Sequence, residues 1–310
     1  MRTSLPRRTV LAVPGSSSRF IAKSRTVSAD AVFLDLEDAV APGAKAEARG
    51  QIVAALRDDQ GWLAPCVTVR VNDWTSPWTV ADLSEVVGQA GDRIDAIVLP
   101  KVTGRDQVRA TDLVLTQIER EAGWAVGAIG IEAQIEEAQG LSAVAAIASA
   151  SERLVSLVFG PGDYMASMGM GSLSVGSQPA GYPADAFHYP LMAILIAARA
   201  NGLQAIDGPF VGIRDFAGFS ASAEKAAALG YDGKWVLHPD QIEPGNQIFT
   251  PPAEVITRAR RILDEYERAV SGAGGFTGAI EVDQEMVDEA GVKLASRLLA
   301  KAGISLRGAR

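Results

Sequence analysis

Eight short apolar runs, bounded by turn residues and separated by stretches of helical period, recur between residues 9 and 237. No other feature constrains the fold of this chain as much. The runs predict strands at 9–13, 31–36, 66–71, 96–100, 128–135, 154–159, 203–206 and 235–237, with helices at 19–28, 44–58, 79–90, 104–122, 140–150, 190–201 and 216–229 between them. Several runs, such as Ala31-Val32-Phe33-Leu34, are apolar on successive residues, as strands covered on both faces require. Eight strands alternating with helices predict an α/β fold, a (β/α)8 TIM barrel. The rival is a doubly wound dinucleotide-binding sheet, but Gly272, Gly274 and Gly278 have no strand before them.

After His238-Pro239 the pattern changes. Pro244, Pro251 and Pro252 break the chain, and a charged helix is predicted at 253–270. Residues 271–278 read as a glycine-rich hinge leading into a final amphipathic helix at 283–300. The expected organisation is a catalytic barrel domain over 1–250 and a C-terminal helical extension or lid over 251–310. Inside the barrel the longest interruption is 162–189, after the sixth strand, rich in Gly, Ser, Met and Pro without clear period. Long loops at the carboxyl ends of barrel strands build or cover active sites.

Charge and residue counts exclude whole classes of function. The net charge of −8 disfavours a nucleic-acid or anionic-membrane partner, though a few local cations can still collect a small anion. One cysteine, Cys66, and two histidines, His188 and His238, leave no disulfide framework, no cysteine-based zinc site and no multi-histidine metal site. The longest apolar run, 191–198, is too short to span a membrane, and the basic N-terminus lacks a signal-like apolar core. A soluble cytoplasmic protein is expected.

Barrel chemistry sits where strands end at the carboxyl face. Those ends read Pro14-Gly15, Glu37-Asp38, Arg70, Lys101, Glu136, Asp163, Asp207 and His238. Any one of the acids alone reads more readily as a solvated or ion-paired loop residue, but together they concentrate ionisable groups at one rim. Few carboxylates without a histidine cluster suit Mg2+ or Mn2+ better than zinc. Arg70, inside the apolar-flanked run 67–72, needs a carboxylate partner or an anionic ligand. Lys101 at a strand end raises Schiff-base chemistry as a competing reading. Pro14-Gly15-Ser16-Ser17-Ser18-Arg19 opens a helix whose first N–H groups, with Arg19 and Lys23, can accept a phosphate, although serine-rich caps are common without one.

Taken in order, the motifs resemble the citrate lyase β-subunit-like (HpcH/HpaI aldolase) family, in its CoA-ester lyase branch. They are VPGSSSRF (13–20), FLDLEDAVAP (33–42), VRVND (69–73), IVLPKV (97–102), QIEEAQG (134–140), VFGPGDYMASMGM (158–170), AIDGPF (205–210), DGKWVLHPDQI (232–242) and VDEA (287–290). The segments at 160–170 and 233–239 are similar to malyl-CoA and β-methylmalyl-CoA lyases. The resemblance implies a Mg2+-dependent carbon–carbon lyase, with Mn2+ able to substitute, assembled as a homotrimer or homohexamer. It implies Glu136 and Asp163 as metal ligands, Glu37 and Asp38 holding water around the ion, and Arg70 on the substrate oxygens. Arg19, Lys23 and Ser17 fall on the CoA-binding segment, and Gly162, Leu237 and His238 on the rim beside the thioester. Asp288, on the terminal helix, falls on the acid/base aspartate supplied to a neighbouring subunit. Ser17 departs from the arginine common in the family, and Gln134 and Glu137 depart from its small or apolar residues. The expected reaction is cleavage of L-malyl-CoA to glyoxylate and acetyl-CoA, with β-methylmalyl-CoA giving propionyl-CoA. A citramalyl-CoA lyase, a malyl-CoA thioesterase and a non-catalytic or carrier-protein-dependent subunit of a citrate lyase complex are the alternatives.

Overall fold

A computed structural model describes residues 5–271 and 278–304. Eight parallel strands close in chain order into one barrel: β1 (Thr9–Pro14), β2 (Ala31–Asp35), β3 (Cys66–Arg70), β4 (Ala96–Leu99), β5 (Gly130–Ile135), β6 (Leu154–Phe159), β7 (Gln204–Asp207) and β8 (Gly233–Val236). The barrel closes where β1 pairs with β8, Val10 opposite Trp235. A side chain at Gly233 would meet the Arg7 carbonyl oxygen at 1.7 Å, so only glycine lets the incoming chain lie against this seam. Inward-facing residues of alternating parity, among them Val10, Phe33, Cys66, Val98, Val158, Ile206 and Trp235, fill the interior. Phe33 and Trp235 stack with ring centroids 4.3 Å apart. Side chains such as Leu34 and Ile97, fully removed from water, contribute about 1.5–3 kcal/mol each, which is why these runs are apolar on both faces.

The connecting helices include α1 (Ser18–Ser24), α2 (Lys45–Arg57), α3 (79–90), α4 (Arg105–Ala122), α5 (Ala138–Ser142), α6 (Val144–Ala148), α7 (Pro161–Ser167), α8 (His188–Ala200) and α9 (Phe216–Leu229). Helix α3 contains a π-helical stretch at Asp82–Val87. Four expectations need correction. Helix α1 stops at Ser24 rather than 28, because Arg25 turns away to donate to the carbonyls of Ala55 and Gly61 and to lie over Trp62. The predicted helix at 140–150 is two short helices that start earlier and break at Ala143. The irregular segment at 162–189 begins inside α7, where Pro161 presets the first turn. The helix predicted at 283–300 is the fourth.

That last segment belongs to the second of two compact units, Met1–Gln247 and Ile248–Arg310. Within the second unit α10 (Ala253–Ser271) precedes a hairpin of β9 (Ala279–Val282) and β10 (Glu285–Asp288), and α11 (Glu289–Lys301) follows. Asp283 and Gln284 both have positive φ, 55° and 66°, as a two-residue hairpin turn demands. Val282 and Val287 are buried from opposite strands, and Ala259, Ala295 and Leu299 form a small core between the helices. Most of the predicted hinge, 272–277, lies outside the described residues.

Candidate active site

Arg70 ends β3 and lies on the floor of the barrel mouth, its guanidinium 5.5 Å from the ring centroids of Phe33 and Trp235. Its Nε and Nη2 donate to the two oxygens of Asp35 at 2.7 and 2.6 Å, and Nη1 lies 3.0 Å from Glu37 Oε2. Burial opposes the arginine charge, but Asp35 and Glu37 outweigh it and hold Arg70 above its ordinary pKa. Burial likewise works to raise Asp35. Arg70 and the N–H groups of Glu37 and Ala39 nevertheless keep that carboxyl below its usual range. Arg70 is thus a buried, charge-assisted floor whose fork is already engaged. The sequence reading did not single out Asp35, although FLDLED places it two residues before Glu37, on the same face of the chain.

Lys101 joins the next two strand ends. Its Nζ contacts Glu37 Oε1 and lies 3.4 Å from Asp38 Oδ1, while its backbone N–H donates to Glu136 Oε1 at 2.7 Å. Lys101 adopts φ 49°, a left-handed conformation rare for a side-chain-bearing residue and found where surroundings enforce it. Burial disfavours the ammonium, yet the contact with Glu37 and the charges of Glu37, Asp38 and Asp163 hold it above the usual lysine range. A lysine kept protonated in this way is a poor imine nucleophile.

Glu136, one residue past β5, is 1% exposed. Burial, then the charges of Asp163 and Glu37, push its carboxyl up to about 8 despite Arg70 and the Lys101 N–H. Its Oε2 accepts from Gln134 Nε2. A Cβ at Gly160 would approach that oxygen to 2.3 Å, so a glycine at the end of β6 leaves the carboxylate its room. Asp163 sits half-buried in the first turn of α7 and reaches both Glu136 and Lys101 through its charge. Among the described residues no three His, Cys, Asp or Glu side chains gather as a ready-made metal cage. Two oxygen donors whose mutual repulsion raises a buried carboxyl do fit a hard divalent cation, which takes one or two carboxylates and keeps water for the rest.

The other sequence-derived residues spread along the rim. Ser17 caps α1, accepting from Phe20 N at 3.3 Å; Arg19 and Lys23 are exposed on the same helix, Arg19 lying 5.6 Å from the centroid of Phe20. Gly162 lies in α7 against Val175, which ties the following loop to the mouth. Leu237 is 37% exposed, and His238 Nδ1 accepts from Asp240 N at 3.2 Å. Asp207 does not join the mouth. Its carboxylate faces outward, paired with Lys234 at 2.5 Å beneath Ser222 of α9, because the last residue of β7 has outward parity. Asp288 is not in a helix body: it ends β10 and caps α11, accepting from Ala290 N and Gly291 N at 2.9 and 3.2 Å.

The chain is similar in sequence and fold to known proteins. An L-malyl-CoA/beta-methylmalyl-CoA lyase of Cereibacter sphaeroides (strain ATCC 17029 / ATH 2.4.9) is 36% identical over 96% of this chain and 95% of its own length. A citrate lyase subunit beta of Leuconostoc mesenteroides subsp. cremoris is 32% identical over 94% of this chain and 92% of its own. The solved structure of CitE from Mycobacterium tuberculosis with magnesium, acetoacetate and coenzyme A matches with a TM-score of 0.74 and 29% identity, covering 98% of this chain and 100% of that one. The model of the family HpcH/HpaI aldolase/citrate lyase matches residues 8–239. Because that match runs from the first barrel strand past the last and takes in each strand end gathered at the mouth, the chain belongs to the HpcH/HpaI aldolase/citrate lyase family.

Proposed function

We propose that this protein is a Mg2+-dependent CoA-ester lyase that reversibly cleaves L-malyl-CoA to glyoxylate and acetyl-CoA, with β-methylmalyl-CoA, giving propionyl-CoA, as a second substrate. The observation that carries the reading is the pair Glu136 and Asp163 beside Arg70, in a chain 36% identical to a protein bearing that activity in its name. Glu136 and Asp163 would hold the ion, with Mn2+ able to replace Mg2+. A divalent ion at this place supplies Lewis-acid polarisation of the oxo-acid oxygens and a template for them.

The chain's own residues do the rest. Arg70 lends fixed positive charge to the enolate oxygen that develops as the carbon–carbon bond breaks. Glu37 and Asp38, tied down by Lys101, orient water around the mouth. Ser17, Arg19 and Lys23 bind the CoA portion, while Gly162, Leu237 and His238 border the thioester. Asp288, supplied by a neighbouring subunit in a homotrimer or homohexamer, returns a proton to the thioester α-carbon during cleavage and removes it during synthesis. A cytoplasmic location is part of the proposal; among the described residues no helix is long and apolar enough to cross a membrane.

The test is to incubate the purified protein with a panel of CoA esters, with and without Mg2+, and to measure the aldehyde, the acyl-CoA and free CoA. Glyoxylate with acetyl-CoA, abolished by EDTA and restored by Mg2+, is the expected result. Pyruvate instead of glyoxylate makes it a citramalyl-CoA lyase, and free CoA without acetyl-CoA a thioesterase. Inactivity on every free ester would favour the carrier-protein reading, which the citrate lyase subunit relative keeps open.

A further inference from the structure

Strand β5 carries a polar stripe along the inside of the barrel. Glu132, Gln134 and Glu136 are alternate residues facing the same way, at 1%, 3% and 1% exposure. Across the sheet Glu132 lies opposite Val98 of β4 and Ser156 of β6, while Gln134 lies opposite the apolar Val158 of β6. Glu132 has an evident structural partner in Arg7, 3.3 Å away. Gln134 has none. Its Nε2 donates to Glu136 Oε2, and its Oε1, equally buried, accepts nothing.

A buried amide oxygen without a donor carries a desolvation penalty that an apolar residue of the same volume would avoid. For the core alone glutamine is a poor choice. For the neighbouring carboxylate it is a good one, because Glu136 then has one N–H on each oxygen: Lys101 N at 2.7 Å on Oε1, and Gln134 Nε2 on Oε2. Two donors on opposite oxygens fix the carboxylate plane. Gly160 closes the remaining side, since a Cβ there would stand 2.3 Å from Glu136 Oε2 and 3.0 Å from Gln134 Nε2.

We infer that Gln134 is a positioning residue: its Nε2–H holds the Glu136 carboxylate in one orientation and thereby sets the divalent-cation affinity, without touching substrate. The inference rests on the reading of Glu136 as a metal ligand. Without this donor Glu136 keeps a single anchor, and ordering its carboxylate falls to the incoming ion. Removing such an outer partner typically weakens metal binding by about 10–100-fold.

The experiment titrates Mn2+ into substrate-free protein, followed by the loss of the free-ion EPR signal, for wild type, Gln134→Met and Gln134→Leu, with thermal melting as the check on folding. Methionine keeps the volume and removes the donor; leucine changes the shape as well, and either folded variant decides the matter. The expected result is Mn2+ affinity about 10–100-fold weaker, with kcat largely recovered at saturating metal. Wild-type affinity in a folded variant overturns the inference, as does a kcat loss that added metal leaves in place. A wild type that binds no Mn2+ overturns instead the assignment of Glu136 and Asp163, and this inference with it.

Discussion

Glu136 makes the sharpest demand at the scale of single residues. In the metal-free protein its carboxyl lies at about 8, raised by burial and by Asp163, against an ordinary value near 4.3. A raised carboxyl pKa means that the folded state holds the proton more tightly, so its stabilising contribution is complete below about pH 4. That contribution is lost as pH climbs towards 8. Glu136→Gln removes this loss, so the metal-free variant is expected to melt above the wild type at pH 8.5, with the gap shrinking towards pH 5. The substituted amide keeps the Lys101 N–H as donor, and a flipped Gln134 offers its unmet Oε1 to the new NH2. Mg2+ should raise the wild-type melting temperature more at pH 8.5 than at pH 6, where protons compete for Glu136, and should not move the variant. Scanning fluorimetry across pH measures all three, and a variant that melts below the wild type at pH 8.5 would refute the electrostatic account. Gly160→Ala is the steric counterpart. The new Cβ would stand 2.3 Å from Glu136 Oε2 and 2.4 Å from Glu136 Cβ, so the ends of β5 and β6 must move apart, and the variant should lose melting temperature together with its Mg2+ stabilisation even though φ −108° suits alanine. An unchanged Mg2+ shift in that variant would mean that the carboxylate is placed otherwise.

Among the elements, the terminal hairpin and helix separate two roles that one residue combines. Asp288 caps α11 through Ala290 N and Gly291 N, and it is also the proposed acid/base group. Asparagine caps about as well as aspartate, so Asp288→Asn should leave melting almost unchanged and abolish turnover, whereas Asp288→Ala should also lose roughly 1 kcal/mol of stability. Full activity in the asparagine variant would confine Asp288 to the cap. The same segment marks the limit of what the sequence made legible. Strands covered on both faces write unbroken apolar runs, so all eight barrel strands were readable to within two residues, and the strand ends followed from them. The segment 279–288 wrote no such run: its eight strand residues mix three exposed acids with five apolar residues, and its turn is Asp-Gln rather than a glycine pair, so the hairpin merged with the helical pattern behind it. Asp207 misled for a different reason. A position at a strand end is visible in sequence, but parity decides whether its side chain enters the mouth, and one residue shifts that answer. The ion pairs of Arg70 and Lys101 depend on side-chain geometry across three strands, which periodicity does not encode.

For the whole molecule, the question is how the two compact units cooperate. Glu136 and Asp163 belong to the first and Asp288 to the second, so the proposed reaction needs both, and the proposal places Asp288 in a neighbour's site. In a closed ring each barrel then takes its proton from the next subunit, and the consequence is arithmetical. Glu136→Gln keeps the fold and removes the ion's ligand; Asp288→Asn keeps the cap and removes the carboxylate. Each homo-oligomer should therefore be inactive. When equal amounts exchange subunits, half of the barrels keep Glu136, and half of those receive an intact Asp288, so about a quarter of wild-type activity should return for a cyclic assembly. An assembly in which each chain serves its own barrel returns none, because no chain in the mixture carries both groups. Mass spectrometry of differently tagged subunits shows whether exchange has occurred, which makes silence informative. Demonstrated hetero-oligomers without activity would place Asp288 in its own subunit's site or outside the chemistry. Activity well above a quarter would mean that at least one substitution had not silenced its chain, and the turnover of each homo-oligomer would show which one.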